Sequence, residues 1–379
     1  MNTEELSVWL RLSLTDGVGN DAAQRLLAHF GSPEAVFEQP ACALHEVVSS
    51  AQADALLEAP LTLEMQLALT QHWLAQSTPT CERAVWCLGD ALYPAALLSL
   101  SDPPLMLYAQ GQLSWPLPPT VAVVGSRNPT PQGAQTAEQL SETLARAGLC
   151  VVSGLALGVD GAAHRGALQS GNSADVQSTP MLRTIAVVGT GLDRVYPRQH
   201  HALAQAITQH GWLLSEYPLG TPPLAHHFPR RNRLIAALGL GTLVVEAAMQ
   251  SGSLITAQLA LELGREVMAI PGSIHAPQSR GCHALIKEGA KLVETAQDVL
   301  EELPPLPTGL RMHNNNEATT ASPEHPLLAH MGHVPVSLDA LQTRCAWDAP
   351  TLLGALLTLE LEGVVARLPG GLYQRLNTH

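Results

Sequence analysis

The sequence predicts an α/β protein built on a doubly wound, mostly parallel sheet. Two observations carry this prediction. Six short segments are apolar throughout, which is typical of strands buried on both faces of a parallel sheet. Helical patterns separate these segments, as in a chain of βαβ units. The six segments are residues 121–124, 149–152, 184–188, 213–214, 242–245 and 266–270. They predict a sheet domain that spans residues 85–302.

The region before this domain is predicted to be helical. Residues 1–80 show helical periodicity with turn signals between the apolar positions. Residues 14–37 resemble a helix-hairpin-helix or SAM-like unit, with a tight turn at residues 17–19. Asp16 and Asp21 flank that turn, so a structural role is favoured over a contact with DNA phosphates.

The region after the sheet domain divides into a linker and a small domain. Residues 303–325 are rich in Pro, Asn and Thr and predict a flexible linker. Residues 326–379 contain three helical patterns and a hairpin, which predict a winged helix. Its candidate recognition helix, residues 349–362, has no Lys or Arg, so a protein-interaction or structural role is favoured over duplex readout. Residues 170–183 are predicted to be a surface insertion in the sheet domain.

The charge is unevenly distributed along the chain. The 379 residues carry a formal net charge of −13, which taken alone counts against a nucleic-acid partner. Counted by segment, residues 1–120 carry −10, residues 121–300 carry +1 and residues 301–379 carry −4. The acidity therefore lies in the flanks, and a local anion site in the sheet domain remains open.

Composition excludes several other classes. The chain is 46% hydrophobic and 14% charged, which favours a folded core over disorder. No apolar run reaches the length of a membrane span, and the acidic start differs from a signal peptide, so we expect a cytoplasmic protein without a membrane partner. Six cysteines show no metal-like spacing. We therefore expect no disulfide framework, metal or cofactor.

The loop after the first predicted strand carries Gly125, Ser126 and Arg127. Open α/β sheets bind ligands at this edge, beyond the carboxyl ends of the strands. Glycine lets the backbone approach a ligand, so that loop N–H groups and the next helix start can meet an anion. A guanidinium adds a charge-assisted contact to phosphate. The alternative is a simple turn.

The loop after the second strand begins at Ser153 and Gly154 and is also rich in glycine. Asp160 is predicted to be the N-cap of the following helix rather than a catalytic group. His164 is predicted to pack or form hydrogen bonds within the core rather than to bind a metal.

The densest basic run is F-P-R-R-N-R at residues 228–233. Three guanidiniums beside an aromatic ring can follow a phosphate backbone while the ring stacks on a base. Alternatively, the arginines begin a helix and pair with carboxylates such as Glu216 and Glu246. Because Leu234 and Ile235 must pack inward, we expect only one or two of the arginines to meet a ligand.

An enzyme is the alternative class. Residues 239–246 resemble the G-x-G-T-x-x-E signature of nucleotide or nucleoside-phosphate hydrolases, which would use Glu246. Those enzymes place a further Arg and Glu around the ribosyl bond, whereas residues 250–257 are polar but neutral here. Dinucleotide binding is disfavoured, because Arg194 stands where G-x-G-x-x-G needs its third glycine.

In their order along the chain, these motifs closely resemble the DNA-processing protein A (DprA/Smf) family. The matching segments include VAVVGSR (121–127), VVSGLALGVDGAAHRGAL (151–168), IAVVGTGLDRVYP (185–197), SEYPLGTPP (215–223), FPRRNRLIAAL (228–238), VVEAAMQSGSLITAQLALELGREVMAIPGS (244–273) and RGCHALIKEGA (280–290). The resemblance implies an extended Rossmann-like domain, and the flanking helical and winged-helix units match a common family architecture.

The resemblance also implies a function. It implies a cytoplasmic, non-enzymatic protein that binds and protects incoming single-stranded DNA, loads the RecA recombinase during natural transformation, and forms a homodimer through the Rossmann-like domain. His283 is included in the implied site because histidine can still donate a hydrogen bond, although the family usually has Asn there. The implied DNA-binding residues are Gly125, Ser126, Arg127, Ser153, Gly154, Phe228, Arg230, Arg231, Asn232, Arg233, Ser251, Gly252, Ser253 and His283.

Overall fold

A computed structural model describes most of the chain. The described residues are 2–172, 182–304, 325–332, 335–345, 347–368 and 370–376. Most of the predicted insertion and nearly all of the predicted linker lie outside these residues. Within the described ranges, no helix is both long and apolar enough to cross a bilayer.

The N-terminal region consists of helices, as its periodicity predicts. They are α1 (Thr3–Leu14), α2 (Asn20–Phe30), α3 (Pro33–Phe37), α4 (Ala41–His45), α5 (Ser50–Leu57) and α6 (Leu63–Ala75). Asn2 starts α1 through a reciprocal capping box with Glu5. Gly17, in the turn before α2, has a φ of +74°, a conformation that favours glycine.

The centre of the molecule is a nine-stranded sheet in the order β1-β2-β6-β5-β4-β3-β7-β8-β9. Its strands are β1 (Glu82–Cys87), β2 (Met106–Gly111), β3 (Thr120–Val124), β4 (Cys150–Ser153), β5 (Thr184–Val187), β6 (Gly211–Ser215), β7 (Gly241–Val244), β8 (Glu266–Ala269) and β9 (Lys291–Leu292). Strands β1 and β2 are antiparallel additions at one end, and the others run parallel. The six predicted strands correspond to β3 through β8.

Helices cover both faces of this sheet. They are α7 (Pro131–Arg146), α8 (Val159–Gln169), α9 (His201–His210), α10 (His227–Leu238), α11 (Gly252–Glu262), α12 (Arg280–Lys287) and α13 (Ala296–Glu302). Alternate residues of β3 point to opposite faces: Val121 and Val123 pack with α7 and α8, whereas Ala122 and Val124 pack with α10 and α11. The fold class is therefore confirmed as a doubly wound α/β sheet.

The N-terminal helices share one apolar core with the sheet. Leu10 and Leu26 of these helices belong to the same buried cluster as Tyr108 of β2 and Leu213 of β6. The residues on the two sides of the predicted boundary near residue 80 therefore contribute to one continuous core and not to two separate cores.

The C-terminal unit has the elements predicted for a winged helix. They are α14 (Pro326–Met331), β10 (Val336–Ser337), α15 (Leu338–Cys345), α16 (Ala349–Leu361), β11 (Val365–Leu368) and β12 (Leu372–Arg375). The strands pair in the order β10-β12-β11 around a core of their own. Gln374 of β12 donates a hydrogen bond of 2.6 Å to the side chain of Gln132 on α7.

Candidate nucleic-acid interface

A cleft of about 460 Å³ opens at the carboxyl ends of β3 and β7. The strand order reverses between these two neighbours, so this is the topological switch point where doubly wound sheets bind ligands. The residues lining the cleft are Val124, Gly125, Ser126, Arg127, Asn128, Ala156, Asp160, Arg231, Asn232, Ile235, Ala248, Gln250, Ser251, Gly252, Ser253 and Thr256.

The loop after β3 is held tightly, except at Arg127. A Cβ on Gly125 would lie 2.8 Å from the Val159 side chain and 2.9 Å from the Glu246 carbonyl oxygen, so only glycine fits there. The N–H of Ser126 donates to that same carbonyl at 2.6 Å. Arg127 is exposed and reaches over the cleft mouth. The three predicted residues of this loop therefore all lie at the cleft.

Glu246 anchors the start of α7. Its two carboxylate oxygens accept hydrogen bonds from the N–H and the hydroxyl of Thr130, at 2.9 and 2.6 Å. Thr130 also caps the helix by accepting from the N–H of Gly133 at 3.0 Å. A Cβ on Gly133 would fall 2.3 Å from the Glu246 carboxyl carbon. Burial raises the pKa of Glu246 above its ordinary value. The carboxylate therefore has a defined positioning role.

The loop after β4 supports the cleft from behind. Ser153 is fully buried and donates to the Val123 carbonyl at 2.7 Å. Gly154 lies against the guanidinium of Arg231, where a Cβ would be 1.9 Å from Nη1. Neither residue lines the cleft. The structure thus places Ser153 and Gly154 in support of a cleft residue and not at the surface that a ligand would touch.

The residue after Gly154 is Leu155, and its backbone is fixed by a hydrogen bond to a buried histidine. Leu155 has a φ of +57°, which is unusual and strained for a non-glycine residue. The Thr184 hydroxyl donates to the Val151 carbonyl, so His164 Nδ1 donates to Thr184 Oγ1 at 2.7 Å. His164 Nε2 then accepts from the N–H of Leu155 at 3.3 Å. His164 is therefore a neutral, hydrogen-bonded core residue, as predicted, and burial lowers its pKa to about 3.

Arg231 forms the floor of the cleft. The residue is only 3% exposed, and its Nη1 donates to the Val187 carbonyl at 2.6 Å. Its Nε has no hydrogen-bond partner. Burial lowers its pKa to about 10, while the charge of Asp160 opposes that shift, so Arg231 stays charged at neutral pH. A buried cation with an unsatisfied donor favours an anionic ligand at this position.

Asp160 differs from its prediction. The N-cap of α8 is Gly158, and Asp160 lies inside the helix, where its carboxylate accepts from the N–H of Ala156 at 3.3 Å. Gly158 holds the N-cap position because its φ is +82° and a Cβ there would meet the Ser126 carbonyl. Burial raises the pKa of Asp160, and Arg231 and Arg127 counteract that increase.

The other two arginines of the F-P-R-R-N-R run are placed differently. Arg233 is buried on the far side of α10, in an ion pair with Glu216 and 3.4 Å from Asp102. Two residues along a helix correspond to a rotation of about 200°, so Arg233 cannot face the cleft when Arg231 does. This corrects the expectation that Arg233 reaches the ligand site. Arg230 is exposed next to the cleft but does not line it.

The opposite wall of the cleft is the start of α11. Ser251 is its N-cap, with its hydroxyl 2.7 Å from the Ser253 hydroxyl. Asn232 on α10 donates to the Gly252 carbonyl at 3.4 Å, which joins the two helices across the cleft. All four of these predicted residues line the cleft, and the helix start presents N–H groups that suit a phosphate.

An aromatic ring borders the cleft mouth. Phe228 is partly exposed, and the Arg127 guanidinium lies 5.5 Å from its ring centroid. Gly189 lies beneath this ring, where a Cβ would come within 3.3 Å of it. The ring centroid of Tyr196 is 5.4 Å from that of Phe228. Tyr196 is not among the predicted site residues, although it lies between two arginines in the segment R-V-Y-P-R at residues 194–198.

His283 lies on α12, outside the cleft lining. Its Nε2 is 3.0 Å from the carbonyl oxygen of Gly272, in the loop after β8. The structure therefore gives His283 a backbone partner within the protein and does not bring it to the other predicted residues. In the described ranges, no group of three or more His, Cys, Asp or Glu side chains could hold a metal ion.

These features define a Rossmann-like α/β protein whose cleft at the switch point, the candidate ligand site, combines backbone N–H groups with two arginines. Comparison with known families then identifies it more closely. A family model described as DNA recombination-mediator protein A matches residues 84–304. A DprA winged helix domain model matches residues 313–371. The chain belongs to the DNA-processing protein A (DprA/Smf) family, which confirms the resemblance found in its motifs.

Individual relatives agree with this assignment. The chain is 38% identical to protein Smf of Escherichia coli over 98% of this chain and 96% of that protein. It is 49% identical to the DNA processing protein DprA of Streptococcus pneumoniae over 56% of this chain and 72% of that protein.

Two solved structures are also similar. The X-ray structure of the Streptococcus pneumoniae protein covers 80% of this chain and 99% of its own, with 36% identity and a TM-score of 0.65. A structure of DNA processing protein A from Helicobacter pylori, described for its single-stranded DNA binding mode, covers 58% of this chain and 97% of its own. Its identity is 31% and its TM-score is 0.50.

Proposed function

We propose that this chain binds single-stranded DNA in the cleft between β3 and β7, without catalytic turnover. The observation that carries the proposal is the charged Arg231 at the cleft floor, which has an unsatisfied donor and no carboxylate within ion-pair distance among the described residues. The Helicobacter pylori relative, whose printed description concerns single-stranded DNA binding, supports the same ligand class.

The cleft geometry fits a strand held by its backbone. A phosphate would meet Arg127 at the mouth, Arg231 at the floor and the N–H groups at the start of α11. Phe228 offers a ring on which a base can stack. Phosphate contacts and stacking carry little sequence information, so binding is expected to tolerate any sequence.

The winged helix supports a preference for single strands. Duplex readout in the major groove needs a helix with polar or basic side chains. Helix α16 instead exposes Leu353, Leu357 and Leu361, with Leu357 58% exposed, and it carries Glu360 beside them. An apolar and acidic face repels phosphates, so this helix suits a protein partner or a structural role.

The remaining parts of the proposal rest on family membership. We include protection of incoming strands, loading of RecA during natural transformation, homodimer formation through the Rossmann-like domain, and a cytoplasmic location. The Streptococcus pneumoniae relative is named a DNA processing protein, which supports a role in handling DNA.

The contacts of Glu246 favour binding over hydrolysis. A nucleotide or nucleoside-phosphate hydrolase would need this carboxylate free for the ribosyl bond. Here both of its oxygens accept from Thr130 at the start of α7. The carboxylate thereby fixes the far end of the loop that carries Arg127.

The proposal predicts that Arg127→Ala weakens binding of single-stranded DNA by about ten- to 150-fold, because a charge-assisted phosphate contact is worth roughly 1.5–3 kcal/mol. Affinities of unrelated sequences should fall equally. The slope of log affinity against log salt should become shallower by about 0.7 for the lost phosphate contact. Fluorescence anisotropy across salt concentrations measures both, and Arg146→Ala, an exposed substitution on α7 remote from the cleft lining, is the matched control.

Two results would overturn the proposal. One is equal affinity and salt slope in wild type and Arg127→Ala. The other is release of base from nucleoside monophosphates that Glu246→Gln abolishes while strand binding persists, which would favour the hydrolase.

A further inference from the structure

The segment that follows the G-T-G loop combines an exposed ring with basic side chains. Its sequence, R-V-Y-P-R, places Tyr196 between Arg194 and Arg198. Tyr196 is 47% exposed, which is high for a tyrosine packed against another ring. None of these three residues lines the cleft between β3 and β7.

Tyr196 continues the aromatic surface of the cleft mouth. Arg127 lines the cleft and lies over the Phe228 ring, and Phe228 in turn packs against Tyr196 at a ring-centroid distance of 5.4 Å. The two rings are tilted by 40°, so together they form a bent surface and not one flat stack. A cation and two rings therefore lie in continuous contact from the cleft outward.

The two arginines of the segment differ in what neutralises them. Arg194 pairs with Asp193 at 3.0 Å. Asp193 also accepts from the N–H of Gly220 at 2.7 Å, so it fixes the loop. Arg198 is exposed, and its side chain has no hydrogen bond or ion pair with any described residue. Of these two arginines, only Arg198 has no carboxylate partner among the described residues and can offer its charge to a ligand.

The chemistry of this surface matches a nucleotide that leaves the cleft. An exposed phenol ring stacks on any base, because every base has a π-face. A guanidinium two residues along the chain can meet the adjoining phosphate, which carries one negative charge. A neutral aliphatic ligand would gain nothing from Arg198, and a free phosphate would gain nothing from Tyr196.

We propose that residues 194–198 form a second binding position for the same strand, in which Tyr196 stacks on a base and Arg198 contacts a phosphate. This inference rests on the proposed single-strand binding. It adds a contact segment on the β5 side of the sheet, so that the bound strand runs from the start of α11 across Phe228 to the start of α9.

The stacking part is tested with Tyr196→Ala and Tyr196→Phe. We expect the alanine variant to bind oligothymidylate about five- to 150-fold more weakly, because stacking on one aromatic ring contributes roughly 1–3 kcal/mol. The phenylalanine variant should bind as wild type does. Neither change should alter binding of an abasic strand of equal length, which lacks the bases that would stack.

The charge part is tested with Arg198→Ala, and Arg146→Ala, at the exposed end of α7, is its control. The first should weaken binding of both the normal and the abasic strand and make the salt slope shallower by about 0.7. The control should change neither quantity, because Arg146 lies away from the cleft lining and from residues 194–198.

The outcomes separate this inference from the function on which it rests. If wild type binds oligothymidylate and Arg127→Ala weakens it, but Tyr196→Ala and Arg198→Ala bind as wild type, the second position is excluded and the cleft stands. If wild type itself shows no single-strand binding, the proposed function fails first. Equal losses in Tyr196→Ala for normal and abasic strands would also exclude stacking.

Discussion

The two sides of α10 use the same residue type for opposite purposes. On the cleft side, Arg231 donates a hydrogen bond to the Val187 carbonyl. The carboxylate that acts on its charge is Asp160, which lies beyond ion-pair distance. On the far side, Arg233 lies between the carboxylates of Glu216 and Asp102. The comparison teaches that a basic run in a sequence becomes a binding surface only where the fold leaves its counter-charges out of reach.

The largest expected effect comes from Arg233. Arg233→Ala leaves the carboxylate of Glu216 buried without its partner, and breaking a buried pair in this way costs about 3–5 kcal/mol of unfolding free energy. Single-strand affinity of the folded protein should stay within about twofold of wild type. Urea denaturation and anisotropy below the unfolding transition measure the two quantities.

Arg230→Ala is the control for that variant, because Arg230 is exposed on the same helix. It should leave the unfolding free energy within about 0.5 kcal/mol of wild type. If Arg233→Ala kept its stability and lost DNA affinity, the assignment of the two sides of α10 would be reversed.

A smaller effect is expected on the cleft side from Gly154→Ala. The new Cβ would lie 1.9 Å from Arg231 Nη1 and displace the guanidinium from the Val187 carbonyl. Overpacking of this kind costs about 1–3 kcal/mol, and the displaced Arg231 should also weaken strand binding. Thermal unfolding and anisotropy both report the change.

Gly252→Ala provides the comparison, since Gly252 lines the same cleft but has nothing within 4 Å of its Cβ position. Its stability should be nearly unchanged. Equal stability and affinity in Gly154→Ala and wild type would show that the position of Arg231 does not depend on this glycine.

The smallest effect is a pH dependence that comes from His164. Its folded pKa of about 3 lies below the ordinary 6.5, so the unfolded chain takes up the proton first as the pH falls. This group therefore lowers stability below pH 6.5, by about 1.4 kcal/mol at a pH one unit lower. Burial of the ring is the main cause of the low pKa, and the nearby charges of His200 and Arg231 add to it.

The measurement compares melting temperatures of wild type and His164→Gln from neutral pH downward. Glutamine keeps a donor and an acceptor but does not titrate, so its loss of stability on acidification should be smaller. Burial raises the pKa values of Asp160, Glu216 and Glu246, so these carboxyl groups stabilise the folded state as the pH falls. Because wild type and His164→Gln both contain them, their contribution cancels in the comparison. Parallel pH profiles would contradict the role of His164.

Much of the fold and part of the site followed from local sequence. Apolar runs located β3 through β8, and the residues just after them, Gly125 to Arg127 and Ser251 to Ser253, do line one cleft. Parallel strands align their carboxyl ends, so residues that follow them are brought together by the topology alone. This part required no knowledge of side-chain contacts.

The rest depended on contacts that are distant in sequence. Arg233 is held away from the cleft by its ion pair with Glu216, a pairing that the sequence left open as an alternative. Asp102, which precedes β2, lies on the same guanidinium, and no local pattern links it to Arg233. Ser153 was expected to begin the loop after the second predicted strand, but it is the last residue of β4 and its hydroxyl donates inward to the Val123 carbonyl. The contact between the Tyr196 ring and the Phe228 ring joins two segments that are distant in sequence, so no local pattern predicts that Tyr196 lies near the cleft.

The apolar core that joins the N-terminal helices to the sheet has a practical consequence. Removing residues 1–80 would strip Leu10 and Leu26 from Tyr108 and Leu213 and leave a wide hydrophobic area open to water. Such a truncated chain would be prone to aggregate. In the intact chain, these helices and the sheet should melt in a single cooperative transition.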